Sequence, residues 1–241
     1  MDRSAYASMS AQEQDHWWFV ARRAIIDSLV RTHVRLPADA HILEAGCGTG
    51  GNLALLAQYG ALDAMEYDAD ARALASARGL CRVEAGALPD AIGFGETRYD
   101  LIALLDVLEH IDEDEASLRA LGGRLAPNGR LLLTVPAAPW LWSEHDVLHH
   151  HKRRYTHDGL LEVIRAAGLK VEASGHFNSL LFPLAVAQRF AHQLLRRDTP
   201  LDARPSPLVN AALQRVFAAE RHLLGRLSFP LGLSLYAILS V

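Results

Sequence analysis

Residues 143–156, SEHDVLHHHKRRYT, bring many chemically active side chains into one short stretch. The stretch holds four histidines, two acidic residues and three consecutive basic residues. Imidazole accepts a proton near neutral pH, and a neighbouring carboxylate can orient its ring. The composition therefore fits three kinds of site: a metal site, a nucleic-acid surface, or the wall of a pocket that handles the charge and the proton of a substrate.

The composition of the whole chain narrows these choices. The 241 residues carry a net charge of -4, so no global positive field would hold the protein on a nucleic acid, and we predict no nucleic-acid partner. Cys47 and Cys81 lie far apart, which disfavours a disulfide framework or a cysteine zinc site and fits a reducing cytoplasm. We predict neither a secretory signal nor a membrane span, because both would need a longer apolar run than the sequence contains.

A glycine-rich turn, EAGCGTGG at residues 44–51, is the second stretch with chemical meaning. Its glycines can be read as Gly46-x-Gly48-x-x-Gly51, which is the spacing of a dinucleotide-binding turn. Glu66 lies twenty residues after Gly46, at the place where a ribose ligand is expected. Both features suit any nucleoside cofactor, so an NAD-binding oxidoreductase is one reading of the turn.

Glu44 favours a positively charged nucleoside instead. The residue closes a predicted buried strand directly before the glycines, and a buried carboxylate needs a partner. S-adenosylmethionine (SAM) would provide that partner, because it carries both an ammonium and a sulfonium. The alternative reading is that Glu44 accepts a hydrogen bond from a neighbouring amide.

Strands and helices alternate along the chain, which predicts an α/β fold with a doubly wound sheet. The predicted strands are HILEAG, LDAMEYD, CRVEAG, the apolar core of YDLIALLDVLEHI, RLLLTVP, KVEASGHF and LGLSLYAILSV. NLALLAQYG and EDEASLRALGGRLAPNG are among the predicted helices, and Thr156 is the predicted cap of the helix that follows the histidine-rich loop.

We predict a single domain over residues 1–241. Its additions are an N-terminal lid helix at about 12–34 and a helical insertion at about 178–227. The last strand is predicted to lie beside the strand that precedes the insertion.

Four motifs in this order, LEAGCGTG, MEYD, YDLIALLDVLEHI and GRLLLTVPA, resemble those of the class I SAM-dependent methyltransferases. The resemblance covers about residues 14–180 and resumes at FPLGLSLYAILS, which looks like the last strand of that fold, antiparallel at the sheet edge. It implies a Rossmann-like, mostly parallel sheet of seven strands, SAM as methyl donor and S-adenosylhomocysteine as product. HWW and PWLWSEHDVLHHHKRRYT are similar to a bacterial type 11/12 branch near the quinone-biosynthesis O-methyltransferases.

The resemblance also implies a set of cofactor contacts. They fall on Glu44, Gly46, Cys47, Gly48, Gly50, Glu66, Tyr67 and Asp106. In that family Glu66 would hold the ribose, Tyr67 would flank the adenine, and Asp106 would face the methionine end or the substrate mouth. Many members have an aspartate after the third strand, but this chain has Gly86 there, which leaves the adenine amine to Leu88 or to a backbone group.

The histidine-rich stretch follows the carboxyl end of the fifth predicted strand, where open α/β sheets bind ligands, so it would rim an acceptor pocket. Methyl transfer is an in-line substitution whose main requirement is positioning, and a hydroxyl acceptor also needs a base. We predict His145, oriented by Asp146, as that base, with His149 and His110 as alternatives. The predicted acceptor is a small molecule.

Aromatic and basic residues around this pocket are the predicted substrate contacts: Trp17, Arg22, Trp140, Arg153, Arg154 and Tyr155. Trp17 and Arg22 belong to the lid helix, and core packing of a tryptophan is the alternative there. Trp140 and Trp142 favour an aromatic or lipid-like acceptor. The basic residues would bind a carboxylate or phosphate, pair with the two acids of the stretch, or form a solvated turn.

A metal site is a further reading of these residues. The adjacent histidines 149–151 point in different directions, whereas Asp106, Glu109 and His110 of DVLEH would supply two hard oxygens and an imidazole. The ordinary role of Glu109 and His110 is to shape the pocket or to cap the next helix. The prediction therefore names no metal ligand and leaves a metal requirement open.

The predicted insertion contains an amphipathic helix, LLFPLAVAQRFAHQLLRR. Such a helix packs on its own domain or on a second subunit, or it contacts a membrane surface, here through residues 178–227 at the inner face. The sequence specifies no oligomeric state. A non-catalytic module that keeps the cofactor fold is the remaining alternative to an enzyme, and the acidic residues and glycines of the turn speak against it.

Overall fold

Seven strands form one sheet in the computed structural model, which describes residues 10–195, 205–225 and 227–241. In chain order the strands are β1 His41–Ala45, β2 Ala61–Glu66, β3 Arg82–Ala85, β4 Tyr99–Leu105, β5 Leu125–Pro136, β6 Lys170–Phe177 and β7 Ser234–Ser240. Across the sheet their order is β3-β2-β1-β4-β5-β7-β6. The first five pair in parallel, which confirms the predicted doubly wound, mostly parallel sheet.

The last strand occupies an interior position in the sheet. β7 pairs antiparallel with β5 on one side and with β6 on the other. Its predicted place beside β6 is confirmed, but the predicted place at the sheet edge is wrong, because β6 forms that edge. The physical reason is burial: every residue of β7 is buried, whereas β6 begins with exposed residues that suit an edge.

Helices cover both faces of the sheet. They are α1 Trp17–His33, α2 Leu53–Leu56, α3 Ala69–Ala77, α4 Asp114–Gly122, α5 Glu144–Leu148, α6 His157–Ala166, α7 Phe182–Leu195 and α8 Pro207–Ala219. Thr156 caps α6 as predicted, since its hydroxyl accepts a hydrogen bond from the Gly159 N–H at 3.0 Å.

The two hydrophobic layers are set by the alternation of side chains along β4. Ile102 and Leu104 point to the layer that contains α4 and α6, whereas Leu101 and Ala103 point to the layer that contains α1 and α8. Both faces of β4 are buried, which explains why its sequence is continuously apolar.

The predicted secondary structure is wrong in three places. The helix predicted over EDEASLRALGGRLAPNG ends at Gly122, and β5 begins at Leu125, because Leu125 is buried and pairs with Tyr99 of β4. The helix predicted over NLALLAQYG contains only α2. The histidine-rich loop contains one short helix, α5.

The insertion is joined to the N-terminal helix. The side-chain oxygen of Asn210 in α8 accepts a hydrogen bond from the Trp17 N–H at 2.9 Å, and its amide donates to the Asp15 carbonyl at 2.9 Å. The part of the predicted insertion at residues 196–204, together with Arg226, lies outside the described residues. In the portion of the chain that the structure describes, no helix combines the length and the apolar character needed to cross a bilayer.

Candidate active site

The glycine turn lies at the carboxyl ends of β1 and β2. Gly46, Gly48 and Gly50 have φ values of +77°, +55° and +86°, a region that favours glycine. The N–H groups of Gly46 and Cys47 donate to the Met65 carbonyl, which anchors the turn to β2. Within the described residues, a methyl group added at Gly48 would meet no atom within 4 Å, so this edge of the turn is open to a ligand. Burial raises the pKa of the Cys47 thiol, which suits a lining residue rather than a nucleophile.

Glu44 presents a buried carboxylate beside this turn. The residue is 1% exposed, and its Oε1 accepts a hydrogen bond from the Asn52 side-chain amide at 2.9 Å. Among the described residues, no group donates a hydrogen bond to its Oε2. Burial raises the pKa of Glu44 to about 8. The neighbouring amide therefore satisfies one oxygen only, and the second oxygen fits a ligand that carries an ammonium group.

Glu66 closes β2 on the other side of the turn. Its Oε2 accepts a hydrogen bond from the Gly48 N–H and its Oε1 accepts one from the Asp68 N–H, both at 2.8 Å. The next residue, Tyr67, is 80% exposed and leaves a free aromatic face beside the carboxylate. Glu66 and Tyr67 thus lie together beside the glycine turn, and their predicted contacts with ribose and adenine stay predictions.

The structure explains the glycine at position 86. A methyl group added there would lie 2.8 Å from the Met65 sulfur and 3.1 Å from the Ala91 carbonyl oxygen. An aspartate at this position would require the Met65 side chain to move and would lie tightly against the Ala91 carbonyl. Any contact to an adenine amine in this region must therefore come from another residue or from the backbone.

Asp106 follows β4 and forms an ion pair with Arg22 of α1. The Arg22 Nη2 lies 2.6 Å from the Asp106 Oδ2 and donates to the Thr134 hydroxyl at 2.7 Å, and that hydroxyl donates to the Asp106 Oδ1 at 3.0 Å. Arg22 is buried and its guanidinium lies over the ring of Trp18, 5.2 Å from the centroid. Asp106 and Arg22, both predicted to face ligands, are thus each other's partner.

The two tryptophans predicted to contact the substrate, Trp17 and Trp140, lie in different surroundings. Trp17 packs edge-on against Phe217 of α8, with ring centroids 6.1 Å apart, which is the arrangement of the core-packing alternative. Trp140 is 61% exposed and lies edge-on to Phe182 of α7, at 6.0 Å. Only Trp140 of this pair therefore presents a free surface at the carboxyl edge of the sheet.

Asp146 is the centre of the histidine-rich stretch. It is fully buried, and its carboxylate contacts His151 Nδ1 at 2.9 Å, Arg154 Nε at 2.7 Å and the N–H and hydroxyl of Ser143. Burial alone would raise the pKa of Asp146, but the hydrogen bonds from His151 and Arg154 outweigh it and hold the pKa far below its usual range. The histidine that Asp146 contacts is therefore His151, whereas the side chain of the predicted base, His145, lies outside the described residues.

The basic residues of the stretch are engaged with acids. Arg153 Nη1 lies 2.8 Å from the Asp114 Oδ2, and the Tyr155 hydroxyl donates to the same oxygen at 2.9 Å. Arg154 contacts Asp146 and also donates to the Ala137 carbonyl at 3.1 Å. This arrangement matches the predicted alternative of pairing with acids, although Asp114 lies on α4 and not within the stretch.

Glu109, His110 and His151 come together where the segments that follow β4 and β5 meet. Glu109 is completely buried, and no described group forms a hydrogen bond with either of its carboxylate oxygens. The His110 and His151 rings meet edge-on at 4.8 Å, and the His149 ring lies 6.0 Å from that of His151. Burial, then the charge of Asp106, raises the pKa of Glu109, whereas burial and the neighbouring His151 lower the pKa of His110 to about 4.

Residues outside the predicted set also belong to this region. Glu13, which is buried, accepts a hydrogen bond from the Thr49 hydroxyl and pairs with Arg78, and its backbone carbonyl accepts one from Arg23. These contacts fasten the segment before α1 onto the glycine turn. No motif spacing links Glu13 to Thr49, so no signal in the sequence indicated this contact.

Residues 16–180 match the sequence profile of a family described as a methyltransferase domain. Because this match covers more than half of the chain, the protein belongs to that methyltransferase family. A search of curated proteins gives no match to the sequence.

Several solved structures share the fold. A Haloferax volcanii chain, solved in a complex with the Trm112 methyltransferase activator, has 17% identity and a TM-score of 0.62, with 98% of this chain and 94% of that chain covered. A TehB-like SAM-dependent methyltransferase of Corynebacterium glutamicum has 20% identity and a TM-score of 0.57, with coverage of 98% and 94%. Phosphoethanolamine N-methyltransferase 2 of Haemonchus contortus, solved with SAM, has 13% identity and a TM-score of 0.57, with coverage of 90% and 51%.

The family, the glycine turn and the two buried carboxylates together support SAM as the cofactor, and they favour it over the NAD-binding alternative. When bound, SAM supplies an activated methyl group on a sulfonium. The predicted quinone O-methyltransferase branch stays a prediction.

Proposed function

We propose that this methyltransferase acts on a hydroxyl oxygen of a small-molecule acceptor. The observation that carries the proposal is the group of titratable side chains formed by His110, His151 and Glu109 at the carboxyl ends of β4 and β5. A hydroxyl must lose its proton as the new oxygen–carbon bond forms. Imidazole and carboxylate groups promote this loss either by accepting the proton or by holding a cation that lowers the pKa of the hydroxyl. The predicted bases His145 and His149 lie in the same stretch as His151, and all of them remain candidates.

The chain's own residues would position the cofactor in this proposal. The Glu44 Oε2 accepts a hydrogen bond from the cofactor ammonium, Glu66 accepts from the ribose hydroxyls, and the open edge at Gly48 admits the close approach of the ligand. The ion pair of Arg22 with Asp106 holds α1 over the strand ends and limits the access of water. Transfer then depends on keeping the acceptor oxygen in line with the sulfonium bond.

An aromatic or lipid-like acceptor is supported by the surface beside this group. Trp140 and Trp142 are both exposed on the segment that follows β5, and Val147 and Leu148 of α5 are exposed next to them in the chain. Large apolar side chains at the mouth of a site favour an acceptor that buries an apolar surface. Arg153 and Arg154 already pair with acids, so we assign them to shaping the pocket wall.

We also propose a cytoplasmic enzyme whose insertion contacts the inner membrane surface. Leu184 on α7 and Leu208 on α8 are 56% and 85% exposed, which supports contact with an apolar phase. Co-sedimentation of the protein with anionic vesicles tests this contact. A Leu208→Glu variant should lose binding, whereas equal sedimentation of the two proteins would contradict the proposal.

The experiment for the acceptor uses methyl-labelled SAM and a small-molecule extract of the source cell. We expect label in one low-molecular-weight product, with a carbon-13 chemical shift typical of a methyl ether. Label on nitrogen or carbon would overturn the hydroxyl assignment. Melting curves with SAM and with NAD, added separately, test the cofactor itself, since a ligand stabilises the state that binds it.

A further inference from the structure

We propose that Glu109, His110 and His151 bind a divalent transition-metal ion. Glu109 is 0% exposed, and neither of its carboxylate oxygens has a hydrogen-bond partner within the described parts of the chain. A buried carboxylate is costly unless it is paired with a cation or takes up a proton. The two imidazoles that face it leave a space for a cation between three ligand atoms.

The distances fit a site that closes around an ion. One ligand atom from each of the three residues lies within 4.8 Å of the others, and the His151 Nε2 is 4.0 Å from the Glu109 Oε1. Ligands at about 2.0–2.1 Å from a tetrahedral zinc ion lie about 3.4 Å from one another. Small side-chain rotations, each of about an ångström, would bring the three atoms to that spacing.

Asp146 orients one of the proposed metal ligands, His151. Its contact with the His151 Nδ1 places the donor nitrogen on that side, so the Nε2 that faces Glu109 is the nitrogen with a lone pair. Arg154 and Ser143 fix Asp146 in turn. Metal-binding histidines have this carboxylate partner in many proteins.

One metal ligand suggested by the sequence does not take part in this site. Asp106 is held by Arg22 and Thr134, so it contributes charge to the region but is not among the three converging ligands. His151 replaces it from the segment after β5. The set is therefore two imidazoles and one carboxylate, which suits zinc and related transition ions better than magnesium or calcium.

The role of the ion rests on the proposed function. Three protein ligands leave a coordination position open, and we assign it to the acceptor hydroxyl oxygen. A cation lowers the pKa of a bound hydroxyl, so its proton passes to solvent. An oxygen lone pair then forms the bond to the methyl carbon, and the electron pair of the broken carbon–sulfur bond stays on sulfur.

The test begins with chelator-treated, full-length protein titrated with zinc in a calorimeter. We expect one equivalent to bind and the melting temperature to rise, with no comparable effect of magnesium. Glu109→Gln and His151→Gln should each weaken zinc binding at least about tenfold. His157→Gln is the matched control, because His157 is a half-exposed histidine that contacts Ser174 at 3.0 Å, away from the three ligands.

Zinc affinity equal in wild type and in both ligand variants would overturn the proposal, and so would a loss of affinity in His157→Gln. If a variant fails to fold, cobalt added to the wild-type protein is the second readout. A visible absorption band of low-symmetry cobalt is expected, and a spectrum like that of cobalt in water would contradict the site. The labelled product separates the two proposals: a methyl ether formed equally well by the metal-free protein would support the hydroxyl acceptor and contradict the role of the ion.

Discussion

Arg22 and Asp106 join the N-terminal helix to the end of β4 through a contact of 2.6 Å between guanidinium and carboxylate. The contact is buried on the Arg22 side, and Thr134 bridges the two groups. It fixes α1 to the strand ends that carry the site. Loss of either partner would leave the other as a largely buried charge without its counter-ion.

Arg22→Met is expected to lower the free energy of unfolding by about 3 kcal/mol, because Asp106 loses its counter-ion. Arg31→Met on the same helix is the matched control, since its pair with Asp27 is screened by solvent and should contribute little to stability. Urea unfolding of the two variants measures the difference. Equal losses would show that the Arg22 contact contributes no more than a surface pair.

The pKa of about 8 for Glu44 predicts the pH dependence of the cofactor-free protein. Between its ordinary pKa of 4.5 and about 8, the folded state keeps a proton on Glu44 that the unfolded state releases. The free energy of unfolding should therefore fall as pH rises through this range and level off above it. Glu44→Gln should flatten this part of the curve.

SAM binding should have the opposite pH dependence. The ionised form of Glu44 pairs with the ammonium, so affinity should rise with pH up to about 8, and binding below that pH should release a proton. Calorimetry in buffers of different ionisation enthalpy measures this release. Proton uptake, or an unchanged affinity in Glu44→Gln, would contradict the role of this carboxylate.

Gly48→Ala tests the open edge of the glycine turn. Gly48 and Gly79 have similar positive φ values, +55° and +64°, and neither would place a new methyl group within 4 Å of a described atom. Both alanine variants should therefore cost about 1 kcal/mol of stability through backbone strain. Only Gly48→Ala should also weaken SAM binding, by tenfold or more, and an equal loss in Gly79→Ala would argue for a general folding defect.

Asp146→Asn should destabilise the protein by about 3 kcal/mol, since it leaves the Arg154 guanidinium without a buried counter-ion. The control is Asp112→Asn, which removes an exposed acid that pairs with Lys152 and should have a small effect. Thermal unfolding of both variants gives the comparison. If Asp146→Asn melts with the control, the His151 and Arg154 contacts do not stabilise this segment.

Much of the sheet could be predicted from the sequence, because strand signals are local. The apolar run from Leu101 to Leu105 identified a strand covered on both faces, and the spacing of Glu44 and Glu66 around the glycines marked the ends of β1 and β2. The start of β5 at Leu125 was missed because that residue is placed by pairing with Tyr99, a contact between distant parts of the chain. The interior position of β7 was missed for the same reason.

The candidate site was harder to predict than the fold. Asp146 lies next to His145 in the sequence, yet the histidine that it contacts is His151. The reason is that α5 turns the chain between Asp146 and His151. Asp106 pairs with Arg22 from a helix more than eighty residues earlier, a link that no spacing rule contains. Side-chain partners of this kind depend on how loops fold over strand ends, and local patterns do not encode that.

Asn210 gives the insertion a constraint of its own. Its side chain accepts a hydrogen bond from the Trp17 N–H and donates one to the Asp15 carbonyl, so α8 fixes the N-terminal end of α1. Substrate range could be engineered by exchanging residues 178–227 for a homologous segment. Such an exchange would disturb the anchoring of α1, which carries Arg22, unless the new segment has a side-chain amide at the position of Asn210.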